Sequence, residues 1–426
     1  MTARVSIITP ESIEERMAGP AIRAWNMADV LADHGHEVRL VSTVGASRTA
    51  RSFDVRYAST EAMPRERDWA DVVVTHPGVL RTHPVARYHE GCVIVDVYDP
   101  FHLENLEAGA TPAEERTRTL SHLNSVVNES LVRGDFFLCA SERQRDFWVG
   151  SLTALGRVNA ATYDDDASLR RLIDVAPFGI PTRPPQHRRR VLRGVVPGIE
   201  PNDFVLLWAG GVYNWFDPLT LVEAVAAARR HVPNVRLFFL GMGHPNPAVP
   251  TMRVATELRE RARSLDLTGT HVFFNEGWVP YDERENYLLE ADAGVSTHLL
   301  HVETTFAFRT RVLDYLWAGL PVVLSDGDVF ADLVREEGFG LVVDPGNVDD
   351  LAAAIVTLSQ GERSPFRRRA RKVAERFFWP AALAPLVAFC EAPRLAPDRG
   401  VIHQPEVAAA TPDVAARSRR LRWFRR

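Results

Sequence analysis

The sequence predicts an α/β protein built as two tandem Rossmann-like domains that leave a cleft between them. Three observations predict it. Short apolar runs alternate with helix-sized amphipathic segments through both halves of the chain, the pattern of parallel sheets covered by helices on both faces. The 426 residues exceed what a single core of ordinary size holds. Between 181 and 201 the pattern stops at PTRPPQHRRRVLRGVVPGIEP, whose proline and arginine content reads as a linker with a basic surface stretch.

In the first half, Val5–Thr9 (VSIIT) is a buried-strand run, followed by a loop with Gly19 and Pro20 and an amphipathic helix over 21–34. Gly19 lacks the companions of a GxGxxG pattern. It reads either as a point of close backbone approach to a ligand or as an ordinary loop glycine. ADVVVTH and CVIVDVYDP are further strands, ending in His76 and in Asp96, Asp99 and Pro100. Polar residues at such strand ends are where α/β domains place their chemistry. Asp99, His102 and Glu104 gather in YDPFHLENLE, and His76 and His83 flank a similar loop. No HxH or HExxH spacing makes these a metal site, and Asp99 also reads as a turn cap before Pro100. FFLCASERQRDFWVGSL is a strand and helix with Ser141 at the N-cap.

The second half repeats the theme. FVLLWAGG runs into Gly210 and Gly211, then VYNWFDPLTLVEAVAAARRH places Pro218 in a first helical turn. VRLFFLGMG, HVFFNEGWVP, AGVST and LPVVLS supply further strands. Between the last two, residues 296–325 hold a polar loop with Glu303, then Arg309 and Arg311, then a helix-sized run. Two arginines at a helix N-terminus beside a sheet edge suit an anion, a phosphate above all. A salt bridge from one or both arginines to Asp314 or Glu303 is the competing reading.

The predicted divisions are a first domain over 1–180, the linker over 181–201, a second domain over 202–365, a helical segment over 366–392 packing back toward the first domain, and a Pro/Ala-rich then basic tail over 393–426. A net charge of −5 argues against nucleic acid as a partner. The three scattered cysteines form neither a disulfide framework nor a CxxC site. With no apolar signal segment or membrane-length run, a cytoplasmic location is expected. The tail is expected to be poorly ordered, and its end, RSRRLRWFRR, suits peripheral contact with an anionic membrane. A solvated charged terminus is the other reading.

GPAIRAWNMADVLADHGHEV, the block from GWVPYDERENYLLEAD through LVVDPGN, and VLDYLWAGLPVV are similar to retaining glycosyltransferases of the GT-B fold, family 4, over about residues 1–390. The resemblance implies a nucleoside diphosphate-sugar donor held by the second domain and a hydroxyl acceptor, a lipid-linked one among the candidates, held by the first. It implies Asp314 on the ribose hydroxyls, Glu303 near the donor sugar, Val279 at the nucleobase and the backbone of Thr304, Thr305 and Phe306 at the diphosphate. Gly211 and Asn214, with Trp215 and Asp217, would line the sugar pocket. Gly19, Arg23, Asp99 and His102 fall on the acceptor side. Two departures stand out. Ten residues separate Glu303 from Asp314, more than the family's usual interval, and GGVYNWFDPLT lacks the basic pair that such enzymes carry after this strand. Arg309 and Arg311 are therefore the expected catalytic stabilisers of the leaving diphosphate, with no metal or other cofactor required.

Overall fold

The computed structural model describes residues 2–83, 88–107, 112–243 and 252–400. The basic aromatic end of the tail lies outside them. Two parallel sheets organise the chain. The first contains β1 (Arg4–Thr9), β2 (Glu37–Ser42), β3 (Asp54–Tyr57), β4 (Val72–Thr75), β5 (Cys92–Asp96), β6 (Phe136–Cys139) and β7 (Ile173–Val175), in the spatial order β3-β2-β1-β4-β5-β6-β7. The second contains β8 (Phe204–Gly211), β9 (Val235–Gly241), β10 (Val272–Phe274), β11 (Ala293–Ser296), β12 (Val322–Ser325) and β13 (Gly340–Val343), ordered β10-β9-β8-β11-β12-β13. Both therefore reverse direction beside their first strand, between β1 and β4 and between β8 and β11. A crevice opens at such a switch point, at the carboxyl ends of the strands.

The strands are buried because their side chains are apolar on both faces: β4, β5, β6, β11 and β12 have no exposed residue. One apolar cluster runs through both domains and their connection. It includes Val5 and Ile94, Leu192 in the linker, Leu207 and Leu316 in the second domain, and Leu383 near the C-terminus. The arginine-rich linker stays in place by pairing. The Glu290 carboxylate accepts from the amides of Val191, Leu192 and Arg193, while Arg183 and Arg188 pair with Glu285.

After the second domain, the helix Ser364–Ala374 packs on the helix Thr310–Ala318, and the chain then crosses back. Trp379 packs on Phe178 at 4.9 Å, and Phe389 stacks on Phe136 at 4.8 Å. The expectation of a loose tail from 393 onward is corrected for its first residues. Asp398 is fully buried and meets Arg157 through two hydrogen bonds of 2.8 and 3.1 Å, while Ala396 donates its amide to Asp135. A bidentate pair of this kind holds a segment whose proline-rich composition alone reads as unfolded. Among the described residues no helix is long and apolar enough to cross a membrane.

Candidate active site

The crevices of the two sheets join in one cavity of about 250 Å³. Its floor is the second domain: Gly210, Gly211, Leu240, Gly241, Val279, Arg284 and Asp314 line it. Its roof is the first domain, with Met17, Gly19, Ile22 and Glu104. Glycine at the end of β8 has a local cause: Gly210 has φ +96°, a left-handed conformation that strains any side-chain-bearing residue. At Gly19 a Cβ would meet only the Tyr98 hydroxyl, at 4.0 Å, so the space above this backbone is left open to a ligand. Gly19 also begins the helix Gly19–Asp33, which has no side-chain cap. The helix Thr310–Ala318 begins at the same cavity and is likewise uncapped by a side chain. Two helix starts, neither capped by a side chain and each carrying a partial positive charge, therefore face one space.

The two arginines before the second of these helices have different environments. Arg309 donates two hydrogen bonds to Glu303, at 2.6 and 2.7 Å, and both side chains are buried. Arg311 has no carboxylate partner among the described residues. It lies between the rings of Trp208 and Phe216, at 4.3 and 4.1 Å, and its Nη2 donates to the Gly211 carbonyl at 2.8 Å. It is 8% exposed, and Nη1 has no hydrogen-bond partner among the described residues. Burial pushes its pKa down to about 10, so it stays charged at neutral pH. One turn further along the same helix, the Tyr315 hydroxyl donates to Leu207 and accepts from the Ala209 amide. That contact locks the helix to β8 and fixes where Arg311 can reach.

Arg311 does not pair with Asp314, although the two lie one turn apart. Asp314 instead accepts from Nε of Arg284 at 3.0 Å, and Arg284 is held over the rings of Tyr281 and Trp317 at 3.7 and 4.9 Å. Tyr213 and Trp215 stack in parallel at 4.8 Å on the cavity wall beside Arg311.

Of the residues singled out from sequence, Gly19, Glu104, Gly210, Gly211, Trp215, Val279, Arg309, Arg311 and Asp314 line the cavity. The following do not. Glu303 sits behind Arg309 as its counter-charge. Thr304 and Thr305 have their amides taken by the ring and carbonyl of His301, so they are not free for a diphosphate. The Phe306 carbonyl accepts from Gln144 of the first domain. The chain breaks between the short helix Val302–Phe306 and the helix Thr310–Ala318, and the amides that open on the cavity belong to the second of these. Asn214 accepts from the Val254 amide and ties down the next helix.

On the first-domain side, Arg23 does not reach the cleft. It is 1% exposed, paired with Asp96 at 2.6 and 2.9 Å, and donates to the carbonyls of Ala176 and Pro177. His102 is buried among Phe101, Phe147 and Trp148, and desolvation lowers its pKa to about 4, so it is neutral. Asp99 is raised to about 7, first by burial and then by the negative charges of Glu303 and Asp96. The same causes, with Asp99 in place of Asp96, push Glu104 well up. The sequence reading passed over Arg284, Tyr213 and Trp278 as site residues. Their signal was the aromatic content of GGVYNWF and GWVPYDER.

Residues 203–360 match the sequence model of the family described as Glycosyl transferases group 1. No curated protein sequence matches the chain. Among solved structures, the chain is similar to WaaG, described as a glycosyltransferase involved in lipopolysaccharide biosynthesis, at 16% identity and a TM-score of 0.62, covering 90% of this chain and 98% of that one. It is similar to sucrose-phosphate synthase from Thermosynechococcus elongatus at 14% identity and a TM-score of 0.62, covering 91% and 98%. It is also similar to Anabaena Alr3699/HepE, solved with UDP and glucose, at 13% identity and a TM-score of 0.66, covering 91% and 99%. At these identities the likeness is one of fold, and it extends over both sheets. Residues 203–360 are thus a Glycosyl transferases group 1 domain, and the chain as a whole has the GT-B fold of two Rossmann-like domains.

Proposed function

We propose that the chain transfers a sugar, with retention of configuration, from a nucleoside diphosphate-sugar bound on the second domain to a hydroxyl acceptor entering under the first. The observation that carries this reading is Arg311. A charged guanidinium, buried between two aromatic rings and without a carboxylate partner among the described residues, lines a cavity onto which two helix starts open. A buried cation is costly unless something compensates it, and an anion of the size of a diphosphate fits the space. HepE, similar in fold, is described in complexes with UDP and with UDP-glucose.

The chemistry follows from charge. As the bond from the anomeric carbon to the diphosphate oxygen breaks, negative charge grows on the leaving oxygen. Arg311 and the amides of the helix start are placed to stabilise it. Arg311 also bonds the Gly211 carbonyl, so it occupies the neighbourhood in which the resemblance expects a basic pair. No metal is required in this reading. Arg309, already neutralised by Glu303, positions that carboxylate behind the cavity wall.

The test is turnover of UDP-, GDP-, ADP- and dTDP-sugars with and without EDTA. The reading expects release of one nucleoside diphosphate at an unchanged rate in EDTA. Release that requires added magnesium would remove the metal-independent step, and no release from any donor would remove the reading.

For the acceptor, the basic aromatic tail favours a lipid-linked substrate of cell-surface polysaccharide or glycolipid assembly, met from the inner face of the membrane, over a soluble aglycone. The truncation that tests this falls after Gly400, since Asp398 is part of the folded domain. Full-length protein is expected to co-sediment with vesicles containing anionic lipid, and the truncated protein is not. Equal sedimentation of the two would remove the membrane contact.

A further inference from the structure

Arg309 sits between two acids, and the first domain holds the segments that carry both of them. On one side Glu303 accepts the two hydrogen bonds of the guanidinium. On the other, Oδ2 of Asp328 lies 3.9 Å from Nε, while Oδ1 of Asp328 caps the helix Val329–Glu337 by accepting from the amides of Phe330 and Ala331. The first turn of the helix Glu142–Ala154, which follows β6, reaches both segments. Gln144 in that turn is fully buried. Its Oε1 accepts from the Ala140 amide at 2.8 Å, and its Nε2 donates to the Phe306 carbonyl of the second domain, also at 2.8 Å. Only one orientation of the side-chain amide satisfies both partners, since Ala140 offers a donor and Phe306 an acceptor. The Phe147 ring packs on that of Phe306 at 4.7 Å. Arg143 donates to the Gly327 carbonyl at 2.9 Å and pairs with Asp332, the two lying on either side of Asp328 in the chain.

Both hydrogen bonds of Arg143 cross to the second domain, and so does the one from the Gln144 amide nitrogen. Two of these three end on the backbone carbonyls of Phe306 and Gly327, each within three positions of an acid that faces Arg309. We propose that the first turn of the helix Glu142–Ala154 is a clamp that positions Arg309. From the first domain, Gln144 and Arg143 fix the two segments that carry its acidic partners, Glu303 and Asp328. Neither Gln144 nor Arg143 lines the cavity, so both act through Arg309, which does. A shift of the first domain away from the second breaks the bonds to Phe306 and Gly327 and releases both segments at once. The arginine beside the proposed donor site is therefore held most firmly while the two domains are together. The inference rests on the proposed donor site for its effect on turnover, and on the contacts alone for its effect on the two segments.

The experiment measures amide hydrogen exchange and donor turnover in wild-type protein, Gln144→Met and Arg143→Met. Gln144→Met is expected to speed exchange over 299–309 by about tenfold, the upper range for one neutral hydrogen bond. Arg143→Met is expected to do the same over 326–331. It is also the milder change for the fold, because its side chain is partly exposed and bonds no first-domain group among the described residues. Exchange over 136–154 is expected to stay at the wild-type rate in Arg143→Met. Wild-type rates over 299–309 in Gln144→Met and over 326–331 in Arg143→Met overturn the inference. Turnover separates positioning from mere support of the fold. Gln144→Met is expected to lower kcat by about tenfold in the wild-type background. In Glu303→Leu/Arg309→Met, where no arginine is left to position, it is expected to lower kcat by less than about twofold. The same factor in both backgrounds also overturns the inference. A wild-type protein that releases no nucleoside diphosphate from any donor would remove the proposed donor site instead, and the exchange rates would still decide the clamp.

Discussion

Arg311→Met is expected to lower turnover of the donor by about 10²- to 10³-fold, the usual effect of deleting one group that stabilises charge developing in a transition state. The same substitution is expected to leave thermal stability unchanged or to raise it. Arg311 is a buried charge without a carboxylate partner among the described residues, and it sits between Trp208 and Phe216. A methionine of similar length fills that slot and removes the cost of keeping a cation out of water. Activity and stability thus move independently, as expected for a residue placed for chemistry rather than for folding. A loss of activity accompanied by a fall in melting temperature would mark Arg311 as structural. An active variant would remove it from the reaction.

Glu303 behaves in the opposite way. Glu303→Gln leaves the Arg309 guanidinium buried beside a neutral amide, and breaking a buried pair in this manner costs about 3 to 5 kcal/mol. Arg309 retains one weaker link, to Asp328 at 3.9 Å, which places the expected loss at the lower end. Turnover is also expected to fall by about 10²-fold, because Arg309 lines the cavity and Glu303 holds it there. Replacing both residues by Met and Leu separates the two effects. Stability is expected to return to within about 1 kcal/mol of wild type, while turnover does not recover. Urea denaturation and donor turnover on the single and double variants measure both. A single variant as stable as wild type would contradict the described pair.

The fold was legible because parallel strands buried on both faces leave uninterrupted apolar runs, such as VSIIT and CVIVD, which alternate along the chain with helix-sized amphipathic segments. The residues that line the cavity were legible for a related reason: two arginines before a helix and two glycines after a strand are local features. Partner choice was not. Spacing along a helix puts Arg311 beside Asp314, yet Arg311 turns into the aromatic slot made by Trp208 and Phe216, and Asp314 takes an arginine thirty positions upstream. Only the packing of β8 against the helix Thr310–Ala318 decides this. The placement of the diphosphate amides failed because the segment breaks at 307–309, so Thr304 and Thr305 belong to a separate turn capped by His301. Arg23 and His102 have the right chemistry for an acceptor site, but a bidentate bond to Asp96 and a nest of aromatic rings hold them elsewhere. At 393–400, proline-rich composition concealed Asp398, whose partner Arg157 lies 241 positions away.

The most direct test of the central claim, that Arg311 awaits the diphosphate of a nucleotide donor, is calorimetric titration with matched ligands. Wild-type protein and Arg311→Met are each titrated with UDP, GDP and ADP, and with the corresponding monophosphates and nucleosides. Wild-type protein is expected to bind one diphosphate at least about tenfold more tightly than its nucleoside, in keeping with a hydrogen bond to a charged group. In Arg311→Met the diphosphate affinity is expected to fall toward that of the nucleoside, and the nucleoside affinity to stay unchanged. Equal diphosphate affinity in the two proteins would contradict the account.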